Sequence, residues 1–171
     1  MRALVWITED SWQATVAEAG ATLPADADVT LLHVADDEAQ GVVRAARDAL
    51  LGRPHAIPAA PADALEAIST QAAQELLAQA AAALGRPART VMSRGRVERE
   101  VVAAAGGMDL LILARDGELE RLGPRSLGRA ARFVIDHAPC RVLLIWPSGA
   151  PALTTIPPPP ERPPPFRRAS R

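Results

Sequence analysis

The stretch Leu113–Phe133, "LARDGELERLGPRSLGRAARF", reads as the end of an apolar strand, a glycine-spaced loop of mixed charge, and the start of a helix. A strand that passes through such a loop into a helix is the unit from which open α/β sheets are built. Between Arg115 and Arg129 the loop carries four arginines against Asp116, Glu118 and Glu120.

Working outward, four continuous apolar runs resemble the end of that strand: "ALVWIT" (Ala3–Thr8), "VTLLHV" (Val29–Val34), "DLLIL" (Asp109–Leu113) and "VLLIW" (Val142–Trp146). Runs without alternation suit strands covered on both faces, as in a parallel sheet between helices. A weaker strand, "RTVMS" (Arg89–Ser93), is supported mainly by its position.

Between the runs the periodicity is helical. Asp10 and Gln13 form a capping pair ahead of Trp12, Val16 and Ala19. A second helix repeats apolar side chains from Gln40 to Gly52, and "GRPHAIPAAP" (Gly52–Pro61) follows as an exposed loop. Asp63 and Glu66 open a long Ala-rich helix that stops at Gly85; Val97–Ala105 mark another, ended by Gly106 and Gly107. Leu127, Ala131, Val134 and Ile135 mark the last, ended before Pro139. The order β-α-β-α-α-β-α-β-α-β with right-handed crossovers predicts an α/β fold, a five-stranded, mostly parallel open sheet with helices on both faces.

The chain of 171 residues has net charge -1 and 49% hydrophobic side chains, enough for one sizeable core, with no overall charge that selects nucleic acid or an anionic membrane. All nineteen basic residues are arginine, so a Walker A loop and any catalytic lysine are excluded. Cys140 is the lone cysteine and makes no internal disulfide, and no apolar run is long enough to span a bilayer; the expected location is the cytoplasm. Nine of the sixteen prolines fall after Trp146. The domain division is therefore 1–147 for the α/β domain and 148–171 for a Pro/Arg-rich disordered tail with local polyproline II character.

The opening strand running into "TEDS", the second strand ending "LLHV", and the passage "GRAARFVIDHAPCRVLLI" together resemble the universal stress protein family over roughly Ala3–Trp146. The resemblance implies a Rossmann-like α/β/α sandwich, frequent dimerisation and a regulatory rather than enzymatic role. In one branch of the family, ATP or AMP is bound at the switch point between the first and fourth strands, with Mg²⁺ if the nucleotide is ATP. That branch carries glycine, two residues, glycine, nine residues, then glycine followed by Ser or Thr. Such spacing lets the backbone approach ribose and phosphate while the last glycine begins a helix whose N–H groups favour anions.

The match is partial: Ala114 stands at the first glycine, Gly117 at the second and Gly128 at the third, with ten intervening residues and Arg129 in place of the hydroxyl. Arg115, Arg125 and Arg129 would converge on an anion, or pair with the acidic residues of the loop. Thr8 or Glu9 falls where nucleotide-binding relatives carry an aspartate, and Val34 where the family contacts adenine. The candidate nucleotide site is thus Thr8, Glu9, Val34, Leu113, Ala114, Arg115, Gly117, Gly128 and Arg129. A nucleotide-independent dimeric scaffold is the alternative, and a slow ATPase would need a water-positioning group that the sequence does not offer. Pairing through an edge strand, Arg141–Trp146, would make a homodimer, and the tail would suit a polyproline-reading protein partner. His33 with Asp36 and Asp37, His55, and His137 with Cys140 are weaker candidates for metal or nucleophilic chemistry.

Overall fold

The computed structural model describes residues 1–36 and 60–158, of which 60–66 are described by backbone alone. Five strands form one sheet: β1 (Arg2–Trp6), β2 (Asp28–Asp36), β3 (Arg89–Gly95), β4 (Leu110–Ala114) and β5 (Arg141–Ile145). Their order is β3-β2-β1-β4-β5 and all four pairings are parallel. β1 and β4 lie side by side at the point where the order reverses, so a crevice opens at their carboxyl ends, as the family resemblance implies.

The continuous apolar runs have the expected cause. Along β1, Ala3, Val5 and Ile7 enter one core layer, and Leu4 and Trp6 enter the other. The first layer is closed by Val16 and Ala19 of α1 (Trp12–Thr22) and by Leu77, Ala80 and Leu84 of α2 (Ala60–Leu84). The second is closed by Val101 of α3 (Val97–Ala104) and by Ala131 and Val134 of α4 (Arg129–His137). A strand sandwiched in this way needs apolar side chains at consecutive positions, which removes the alternation of a half-exposed sheet.

Several boundaries differ from the sequence reading. The long helix begins at Ala60 rather than near Asp63, with Pro61 in its first turn, where a missing N–H breaks no helical hydrogen bond. The N-cap of α1 is Ser11 and not an Asp10–Gln13 pair: no side chain caps the helix-start N–H groups, and the Ser11 and Trp12 N–H groups donate to the Thr8 carbonyl. The weak third strand extends to Gly95. The expected helix from Gln40 to Gly52, Asp37 and His55 lie outside the described residues.

A 3-10 turn at Leu153–Thr155 brings Thr155 Oγ1 to the Leu122 N–H, which donates to it at 3.1 Å. Residues 159–171 lie outside the described residues. Among the described residues no helix is long and apolar enough to cross a membrane.

Candidate functional site

β4 delivers the loop of interest to the crevice. Leu113 and Ala114 are buried strand residues paired with Leu144 and Ile145 of β5, and the Arg115 N–H extends the ladder by donating to the Ile145 carbonyl at 3.0 Å. The loop then doubles back on itself. The Gly117 N–H donates to the Ser126 carbonyl at 3.2 Å and the Glu118 N–H to the Arg125 carbonyl at 2.8 Å. Gly117 is required at this close approach: a Cβ there would overlap the Arg125 carbonyl oxygen and stand 3.0 Å from the Leu127 nitrogen.

Gly128 ends the loop as the N-cap of α4, and its N–H donates to Asp116 Oδ1 at 2.6 Å. A Cβ on Gly128 would meet both oxygens of that carboxylate at 2.7–2.8 Å. The helix start that would favour a phosphate therefore already holds an anionic group belonging to the chain. An Asp carboxylate accepting from a helix-start N–H is a charge-assisted bond of the stronger kind.

The arginines of the loop do not converge. Arg115 lays its guanidinium over the Trp146 ring, 4.5 Å from the centroid, and its Nη1 donates to Ser126 Oγ. Ser126 is fully buried and its hydroxyl in turn donates to the Gly123 carbonyl at 2.7 Å. Arg125 pairs with Glu118 at 3.5 Å on the surface. Arg129 is exposed, and its charge acts on Glu98 at the start of α3. A backbone N–H at that helix start is the main cause that holds the Glu98 carboxyl below its ordinary range; burial opposes, and the charges of Arg96 and Arg129 assist.

The other candidates of the first strand have local partners. Thr8 Oγ1 and Ser11 Oγ share a hydrogen bond of 2.7 Å, and Glu9 lies exposed in the turn before α1. Val34 is a core residue, packed in the layer of Trp6, Leu32 and Val101 while β2 continues to Asp36. His33 Nδ1 faces the Ile7 carbonyl at 3.0 Å, and among the described residues no group of three His, Cys, Asp or Glu is placed to hold a metal. His137 stacks on Phe133 and bonds its carbonyl, while burial, followed by the charge of Asp109, pushes the Cys140 thiol up against a backbone hydrogen bond at Leu111, the opposite of what a nucleophilic thiol needs.

Asp116, Ser126, Trp146 and Thr155 carry most of this arrangement. In the sequence Asp116 stands out as an acidic residue of the loop, Ser126 as a hydroxyl ahead of Gly128 and Trp146 at the margin of the edge strand, but their mutual contacts are not indicated there, and Thr155 is not marked. A separate groove of about 310 Å³ lies further along the loop, lined by Leu122, Pro124 and Pro157 with Glu118, Arg121 and Arg125.

Comparison with known proteins sets this geometry in context. The model of the Universal stress protein family matches residues 1–145. No curated protein matches. Among solved structures, hypothetical protein MJ0577 is similar with a TM-score of 0.61 and 21% identity, over 85% of this chain and 95% of that one. Hypothetical protein PH0823 follows with a TM-score of 0.57 and 22% identity, over 85% and 95% of the two chains. The protein UspA from Lactobacillus plantarum has a TM-score of 0.53 and 23% identity, over 85% and 97%. At these identities the likeness is one of fold.

Proposed function

The chain belongs to the universal stress protein family, and from that premise we propose that it is a regulatory, non-enzymatic scaffold whose switch-point crevice is closed by its own side chains and works without a bound nucleotide. One observation carries this reading: the Gly128 N–H at the start of α4 donates to the Asp116 carboxylate at 2.6 Å. A phosphate seated there would lie against a like charge. Two unit charges 4 Å apart repel by about 1 kcal/mol in water and about 4 kcal/mol near a protein surface. The neighbouring arginine that would compensate, Arg115, is committed to Trp146 and Ser126.

The competing reading is that ATP or AMP, with Mg²⁺ for ATP, enters through Thr8, Glu9, Val34, Leu113, Ala114, Arg115, Gly117, Gly128 and Arg129. It is favoured by one atom: Arg115 Nε is shielded from solvent and has no hydrogen-bond partner among the described residues. Thermal unfolding with ATP, AMP and Mg²⁺ separates the two readings. A ligand at a hundred times its dissociation constant adds about 2.7 kcal/mol of stability, and that shift at millimolar nucleotide would overturn the scaffold. An unchanged midpoint is the expected result.

As a scaffold the protein would act through surfaces. β5 is a sheet edge, so its outer backbone groups are available to a second copy, and a homodimer through Arg141–Trp146 is part of the reading.

A further inference from the structure

We propose that residues 146–158 act as a strap that sets the shape of the switch-point loop, so that release of the strap is transmitted to the crevice. The inference goes beyond the scaffold reading and does not depend on whether the crevice takes a nucleotide.

Three attachments hold the strap. At its root, Trp146 lies under the Arg115 guanidinium, 4.5 Å from ring centroid to Cζ. In its middle, Thr155 Oγ1 accepts from the Leu122 N–H at 3.1 Å while donating to the Ala152 carbonyl at 2.7 Å. Near its end, Pro157 Cδ stands 3.8 Å from where a Cβ of Gly123 would lie, and Pro157 closes the groove beside Leu122 and Pro124.

Those attachments are linked through the loop. Gly123, beside Leu122, gives its carbonyl to both the N–H and the hydroxyl of Ser126. The buried Ser126 takes Arg115 Nη1 on its hydroxyl and the Gly117 N–H on its carbonyl. Asp116, between Arg115 and Gly117, holds the start of α4. A shift at Leu122 and Gly123 therefore changes the hydrogen bonds of Ser126, and through them the residues that flank Asp116.

The strap is also built to come away. Leu153 is 78% exposed and Ile156 is 55% exposed, so its release gives up little buried apolar surface. Segments held by few buried contacts open at far lower free energy than the core, which is what a regulatory element requires.

The test is residue-resolved amide hydrogen exchange on the full chain with Thr155→Val, which keeps the side-chain shape and removes the acceptor of the Leu122 N–H, and with Pro157→Gly as a second variant. The expected result in both is exchange at least about fivefold faster at Gly117, Glu118 and Ser126, with the β1 amides unchanged. Faster exchange confined to Leu122, or none, would overturn the proposal, because the strap would then be decoupled from the crevice. Loss of β1 protection in both variants would overturn it as well, since the segment would then be part of the core.

Discussion

Asp116 and Gly128 meet across twelve positions of chain: the Gly128 N–H donates to Asp116 Oδ1 at 2.6 Å, and the space beside the Gly128 Cα is filled by that carboxylate. The crevice of this fold thus contains an anion tethered to the loop that shapes it, and the behaviour of the loop follows from how that anion is held.

Replacing Asp116 by alanine removes the acceptor of the Gly128 N–H ahead of α4. The expected cost is about 1 kcal/mol, that of a lost hydrogen bond, read as a lower denaturant midpoint at unchanged slope. Asp116→Asn keeps an acceptor oxygen and should lose less than Asp116→Ala. Equal losses for the two would show that the N–H bond is not what matters.

The two glycines should respond differently to alanine. At Gly117 the added Cβ overlaps backbone of Arg125 and Ser126, which moves only if the loop opens, so Gly117→Ala should cost more than about 2 kcal/mol. At Gly128 the nearest atoms it meets belong to the Asp116 side chain, which is exposed and can swing to solvent, so the loss should be close to that of Asp116→Ala. In the double variant Gly128→Ala/Asp116→Ala the two losses should therefore not add. Fully additive losses would place the effect of Gly128 elsewhere.

Arg115→Met should remove the stack on Trp146 and the bond to Ser126 together, keeping the length of the side chain. A loss of about 1 to 2 kcal/mol is expected, with a change in tryptophan emission that Trp146→Phe abolishes. Emission unchanged on Arg115→Met would mean that the ring does not sense the guanidinium.

Acid should weaken the fold through the carboxylate that opens β4. Asp109 Oδ2 accepts the Arg2 N–H at 2.7 Å, and this bond is the main cause that holds the Asp109 carboxyl below its ordinary range, with the charges of Arg2, the N-terminal amine and Arg141 assisting against desolvation. A group lowered in the folded state contributes stability above the unfolded carboxylate pKa of about 4, and that contribution is lost as pH falls through the lowered value. Asp109→Asn should therefore unfold at a lower denaturant concentration than the parent near pH 7 and show a shallower decline below about pH 4. A decline of identical steepness would assign the acid sensitivity to other carboxylates, Glu98 among them.

Self-association should depend on the sheet edge. β5 presents one unpaired side, and a two-fold dimer through Arg141–Trp146 is expected by light scattering at micromolar concentration. The Ile145 carbonyl accepts within the β4–β5 ladder, so the alternating Leu144 N–H faces the open edge, and proline in place of Leu144 removes that donor; if the strand uses that edge, the variant should be monomeric or should fail to pair at the same concentration. A parent protein that is itself monomeric would remove the dimer.

Much of the architecture is legible in the sequence because its causes are local and periodic. "ALVWIT" and "DLLIL" are apolar at consecutive positions, a pattern that strands buried on both faces require, and helical spacing in between leaves few topologies open. Gly117 and Gly128 are also visible as glycines, but the reason they are glycines is not. The sequence pattern suggests room for a ligand, and in the fold the Arg125 carbonyl and the Asp116 carboxylate lie where Cβ atoms at positions 117 and 128 would stand.

What the sequence by itself determined is the parallel, doubly covered sheet, because burial on both faces writes a continuous apolar signal into the chain; the switch point beside Leu113 was implied by the family resemblance and is placed by the strand order. What only the tertiary structure decided is the content of that crevice. Asp116 reaches Gly128, Arg115 reaches Trp146 and Leu122 reaches Thr155 over separations that follow no helical or strand period, and single polar contacts of that kind leave no pattern until the chain has folded.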